Sequence, residues 1–393
     1  MNALEPSARL LFRAALVIFA VTIVIGILNG MDIWEPSHNM LLTHVHSGTL
    51  GWITLAVVGA AMLMFGAGAD ANDAAGANRV AGLAILAAVL YVITFASTTG
   101  IMRPIAGTLM LVAIVWVLVW TWNRFASSDK STSQLGILLA LVSLTIGAIL
   151  GVLLGLLIAN GSLPGLSAET AGNLAGAHPP AMLIGYLILA GAAVSHWLLG
   201  GSEARSGRLV MWALFVAGIV ANLAFILDIE PLIQVATVLE VVAIITFIVH
   251  MWARIAPAAW GGQGADNHAR LAVAFLAVGI ALLVRVVMLV TSGELDPETG
   301  EGPVGVLLAF DHAMFIGVMT NALFALVART AGGGSNSVVM WGVNGGLVVF
   351  LVGLVTDTEI LKRIGAPVMG LALLYALYLF LKQLGAPRGV AAT

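Results

Sequence analysis

About twelve long apolar segments joined by short polar loops make up this chain, and no other feature limits its fold as strongly. A helix crossing a bilayer takes ~20 apolar residues, because the hydrocarbon offers no hydrogen-bond partner to an exposed backbone. The segments lie approximately at 10–29, 40–66, 80–99, 105–124, 134–160, 174–199, 208–228, 231–253, 270–291, 304–328, 337–356 and 365–383. Hydrophobic residues make up 61% of the chain and charged residues 9%, too little charge to cover a water-soluble fold of this length. The reading is an all-α polytopic membrane protein forming one membrane domain, 1–393, expected in a bacterial or archaeal plasma membrane and in contact with its lipids. The first segment is read as a retained helix, since no small-residue cleavage motif follows it. The chain has no cysteine, which excludes disulfides and Cys-ligated clusters. A net charge of −3 gives no sign of a nucleic-acid surface.

Basic residues set the expected orientation. With the N-terminus inside, twelve Lys and Arg fall on inner loops, from Arg9 and Arg13 to Lys382 and Arg388. Only three, Arg103, Lys362 and Arg363, fall on outer ones. This is a strong positive-inside bias, and with an even helix count both termini are expected inside. Acids lean outward, notably in Glu294-Leu-Asp296-Pro-Glu298-Thr-Gly-Glu301.

Three histidines, His44, His178 and His312, recur at equal intervals near the starts of the second, sixth and tenth segments. Each is followed by a glycine, Gly51, Gly185 and Gly317, and the glycines keep almost the same interval. The period predicts three four-helix units, roughly 1–133, 134–269 and 270–393, in a pseudo-threefold arrangement, a plan that places sites where repeats meet. Imidazole ligates iron, copper and zinc, and two opposed imidazoles make a low-spin haem site. His44 and His46 lie ~200° apart around a helix, so at most one of them faces a given cofactor. His44 matches His178 in its seven-residue offset to the following glycine, whereas His312, with an offset of five, matches His46. Which of the two would be an axial ligand stays open at this stage.

Thr43-His44-Val-His46-Ser-Gly-Thr-Leu-Gly51-Trp52 resembles the second-helix motif of haem–copper oxidase subunit I, where a histidine ligates the low-spin haem. His178-Pro179-Pro180-Ala-Met182 resembles the family's sixth-helix copper-ligand motif, and Phe310-Asp311-His312 its tenth-helix His-x-His pair. The NnrS-type nitric-oxide-response proteins, twelve-helix haem proteins, are similar too. The resemblance implies haem b between the second and tenth helices, held by His44 (or His46) and His312. It places Lys362 and Arg363 at the haem propionates, with Arg285 a further candidate by bidentate pairing or else a snorkelling arginine. Asp311, beside His312, is a candidate to hydrogen-bond the ligating ring or to neighbour a propionate, although adjacent residues on a helix do not face the same way. It also implies electron relay, with a quinol or other electron-transfer partner, or the binding of a gas such as nitric oxide. The departures are Phe310 in place of a high-spin haem ligand, a seventh segment without histidine, and Met182 where many oxidases have tyrosine. Copper at His178 would be under-coordinated, so full oxygen reduction is not expected.

The alternative reading is a cofactor-free, proton-coupled transporter using the histidines and Glu240, a carboxylate in the middle of the eighth segment. Glu240 serves either a proton path or a neutral bond to Gln234 or Asn222. His196, His250 and His268 are expected at solvated inner helix ends, and His38 before the second helix. Most tryptophans, Trp52 among them, are expected as interfacial anchors.

Overall fold

The computed structural model describes residues 2–256, 260, 264–296, 301–333 and 336–386. Arg388 and Glu298, counted above for orientation, lie outside the described residues. Among the described residues there are twelve helices long and apolar enough to cross a membrane. They are α1 (Glu5–Gly30), α2 (His38–Met64), α3 (Ala71–Ser97), α4 (Met102–Ala126), α5 (Thr132–Asn160), α6 (Ala168–Leu198), α7 (Arg205–Leu227), α8 (Glu230–Ile255), α9 (Asp266–Thr291), α10 (Val304–Ala331), α11 (Ser337–Val355) and α12 (Glu359–Gly385). Several begin a few residues before their apolar run, because polar residues cap them. Asp70 and Asp73 form a reciprocal capping box on α3, Ser131 and Gln134 another on α5, and Ser167 caps α6.

Burial separates a centre from a periphery. In α2, α6 and α10, 94%, 83% and 72% of the apolar window is buried, against 28% in α4 and in α8. The outer helices present large apolar side chains such as Val17, Trp212 and Trp341, as lipid-facing surfaces require. Around this centre α4 packs on α5, α8 on α9 and α12 on α1, which closes the ring. The closure needs small residues: a Cβ on Gly370 would strike Ile27 of α1.

Each central helix changes its hydrogen-bonding pattern at the same place. A wide-turn π segment occupies Ser47–Thr54 in α2, Ala181–Ile188 in α6 and Ala313–Thr320 in α10. The three segments follow one another at nearly the interval that separates the histidines. Pro179 and Pro180 precede only one of them, so missing proline N–H groups are not the common cause. At the closing turn, the hydroxyls of Thr54 and Thr320 donate to the carbonyls five residues back, Thr49 (3.0 Å) and Phe315 (2.9 Å). The mid-segment glycines meet the first helix of the same stretch: Gly51 against Ile18, Gly185 against Ser143, Gly317 against Phe275.

The polar contacts between central helices run cyclically. Trp52 Nε1 of α2 donates to Thr320 Oγ1 of α10 (3.1 Å), and Tyr186 of α6 donates to Thr54 Oγ1 of α2 (3.1 Å). Donors and acceptors occupy matching positions of the π segments. The third contact of the cycle would join Val318 to Ile188, and there both positions are apolar. A second layer repeats the pattern, with Arg9 donating to the Thr330 carbonyl (3.3 Å) and Gln134 to the Met64 carbonyl (3.0 Å).

Candidate functional site

The π segments set the register of the histidines. Counting back from them, His44 matches His178 and Phe310, whereas His46 matches Pro180 and His312. The even spacing of the three histidines therefore joins positions of two kinds, and His312 is the counterpart of His46.

Local geometry separates the same two kinds. His44 donates through Nδ1 to the Thr22 carbonyl of α1, and His178 through Nδ1 to the Gly147 carbonyl of α5, both at 2.9 Å. Each ring lies over a glycine of that helix. A Cβ on Gly26 would sit 3.0 Å from His44 Cε1, and one on Gly151 would sit 2.9 Å from His178 Cε1. His46 and His312 instead donate through Nδ1 to carbonyls four residues back in their own helices, Leu42 and Leu308, both at 2.7 Å. A carbonyl only accepts, so each of the four rings carries a proton on Nδ1, and in the neutral imidazole Nε2 then keeps its lone pair. That is the tautomer a metal-ligating imidazole needs.

His44 and His312 are close enough to interact electrostatically, although one lies on α2 and the other on α10. Beside this pair, the Phe350 ring of α11 stands edge-on to His312 at 5.1 Å. At the adjacent helix ends, Lys362 binds Asp357 (3.1 Å) and Glu359 (2.9 Å), while Arg363 binds Asp32 (2.6 Å) and Glu359 (3.0 Å). The basic pair thus ties the start of α12 to the α1–α2 and α11–α12 loops. His46 faces away from His44, as their angular separation requires, and packs against Tyr91 and Phe95 of α3.

Other candidates do not join the His44–His312 pair. Arg285 is exposed on α9 and makes no hydrogen bond or ion pair among the described residues. Asp311 is half-buried and its Oδ1 has no partner. Glu240 is fully buried with neither oxygen hydrogen-bonded, which removes one of its two readings, the neutral bond to Gln234 or Asn222. Both amide atoms of Asn222 are likewise without a partner. His178 belongs to no group of three or more histidine or acidic side chains suited to a metal ion, among the described residues.

Three expectations about helix ends are also corrected. His196 and His268 are buried, not solvated: His196 bonds Ser133 (2.8 Å), and His268 bonds Asn321 (2.7 Å), which is itself bonded to Asn344. Trp52 is no interfacial anchor. It is buried, stacked on Phe19 at 4.9 Å and bonded to Thr320. Trp116, Trp122 and Trp252 are exposed, as anchors are. Sequence reasoning passed over Tyr91 and Arg103 as site residues. The one signal that could have raised Arg103 is its place among the three outer basic residues, beside Lys362 and Arg363. Against protein-family models and curated proteins, the chain finds no match.

Proposed function

We propose that this protein binds haem b between α2 and α10, where Nε2 of His44 and of His312 would hold it, and that it relays electrons within the membrane. One observation carries the reading: two rings on different helices, within electrostatic range, each with Nδ1–H held by a carbonyl, which in the neutral imidazole leaves Nε2 free to ligate. The donor set fits the group, because low-spin haem needs two imidazole nitrogens and no third protein ligand. When bound, the haem supplies one-electron redox chemistry. The chain's own residues do the positioning. Thr22 and Leu308 carbonyls orient the rings, Phe350 walls one side, and Lys362 and Arg363 would take propionates by giving up ion pairs to Asp357, Glu359 or Asp32. If both histidines hold the group, electron relay is favoured over gas binding, which needs an open coordination position. The N-in, C-in orientation and a bacterial or archaeal plasma membrane belong to the same proposal, as does a quinol or comparable electron-transfer partner.

A visible spectrum of the purified protein tests this. A Soret band with split α and β bands after dithionite reduction is expected, and His312→Ala should abolish bis-histidine ligation at this pair; a low-spin spectrum unchanged in that variant would remove His312 from the site. Absence of any Soret band would overturn the proposal. A second reading, a cofactor-free proton-coupled transporter, is favoured by one observation, the buried and unpartnered Glu240. Its signature would be a colourless protein whose proton-driven flux is lost in Glu240→Gln.

A further inference from the structure

The arrangement at His44 and His312 occurs a second time in this chain. His44 and His178 are counterparts, each bonded to a carbonyl of the preceding odd-numbered helix and seated over its glycine. His312 and His46 are counterparts, each bonded to its own i−4 carbonyl. The cycle that brings α2 to α10 through Trp52 and Thr320 also brings α6 to α2 through Tyr186 and Thr54. Shifted by one step around the cycle, the pair His44–His312 becomes His178–His46, and these two rings are likewise within electrostatic range of each other.

The surroundings repeat as well. Phe350 stands edge-on to His312 at 5.1 Å and 71°, and Tyr91 stands edge-on to His46 at 5.4 Å and 61°. Basic side chains lie at the start of α12 for the first pair. For the second pair Arg103 lies at the start of α4, its guanidinium 4.8 Å from the centre of the Phe95 ring and bonded to the Thr98 and Phe95 carbonyls. The third step of the cycle pairs Phe310 with Pro180, neither of which offers a ligand nitrogen.

We infer that the chain holds a second iron tetrapyrrole, ligated by Nε2 of His46 and His178, with Arg103 at its carboxylates. Donor type, aromatic wall and basic side chains match those of the first site, and two imidazole nitrogens would complete the set without a copper ion. The inference rests on the reading of His44–His312 only for the chemical class of the ligand, because its own residues are different.

The test is haem content by pyridine haemochrome on the full-length purified protein, with copper measured alongside. Two haems per chain are expected, falling to one in His46→Ala or His178→Ala, and separately to one in His44→Ala or His312→Ala. Because an alanine variant can fail to fold, His178→Met provides a second measurement. It keeps a ligand atom, so it should retain two haems with an altered spectrum, whereas simple packing would make Met and Ala variants alike. One haem that is lost in His178→Ala and kept in His312→Ala would support this inference and overturn the reading of His44–His312. One haem indifferent to His46 and His178 would overturn the inference alone, as would stoichiometric copper that His178→Ala removes. No haem at all would overturn both.

Discussion

The hydrogen bond between Tyr186 and Thr54 gives the architecture a quantitative test. Tyr186 is fully buried, and its hydroxyl donates to Thr54 Oγ1, which in turn donates to the Thr49 carbonyl inside the π segment. The two ends of this bond are unequal. In Tyr186→Phe the Thr54 hydroxyl still donates to Thr49, so only an acceptor lone pair loses its partner, at a cost of ~0.5–1 kcal/mol. In Thr54→Val the shape is nearly kept, but a buried phenolic donor is stranded while the Thr49 carbonyl keeps only the backbone N–H of the π turn, at a cost of ~1–3 kcal/mol. Polar contacts between membrane helices average ~0.6 kcal/mol of coupling, about threefold in the folding equilibrium. The double variant should therefore be less destabilised than the sum of the singles by about that amount. The assay is reversible unfolding in mixed lipid–detergent micelles, followed by tryptophan fluorescence. Equal costs for the two singles, or strictly additive ones, would refute the cyclic bonding described above. The parallel cycle Trp52→Phe with Thr320→Val should show the same inequality, since Thr320 also donates to a carbonyl five residues back.

Arg124 bridges the loop after α2 to α3, with Nη1 on Asp73 (2.8 Å) and Nε and Nη2 on the Phe65 carbonyl (3.2 and 2.9 Å). Arg124→Lys cannot span these acceptors and should cost ~1–2 kcal/mol in the same unfolding assay, while Asp73→Asn, on a side chain 32% exposed, should cost less. Glu240→Leu removes a buried polar group without a partner and should leave stability unchanged or raise it by ~1–3 kcal/mol; a large loss in the melting curve would reveal a contact that Glu240 makes when folded. The chain has no native cysteine, so single cysteines report sidedness directly. In right-side-out vesicles an impermeant maleimide should label Glu35→Cys in the α1–α2 loop and spare Ser127→Cys after α4, and the reverse pattern would invert the proposed orientation.

Twelve helices were legible in the sequence because hydropathy is a local quantity. A segment of ~20 apolar residues must satisfy its own backbone wherever it sits, so its existence does not depend on its neighbours. The capped starts at Asp70, Ser131 and Ser167 were as local, though an apolar threshold passes over them. The repeated glycines were legible too, but their cause was not: Gly51, Gly185 and Gly317 are small because Ile18, Ser143 and Phe275 press on them from another helix.

The histidine spacing shows where sequence reading stops. By itself the chain determined that four imidazoles would lie in three apolar helices, and that His44 and His46 would face opposite ways, since helix geometry fixes both. It suggested a triad of equals, His44, His178 and His312. Tertiary structure divided them into two kinds, because the π segments and not the count of residues set the register of α2, α6 and α10. It also placed His44 within electrostatic range of His312, and His46 within that of His178. Such pairings depend on which helix packs on which, through bonds such as that from Trp52 to Thr320, which joins α2 to α10. No periodicity along one helix encodes the angle or depth at which a distant helix meets it, and for that reason only the fold could decide the pairs.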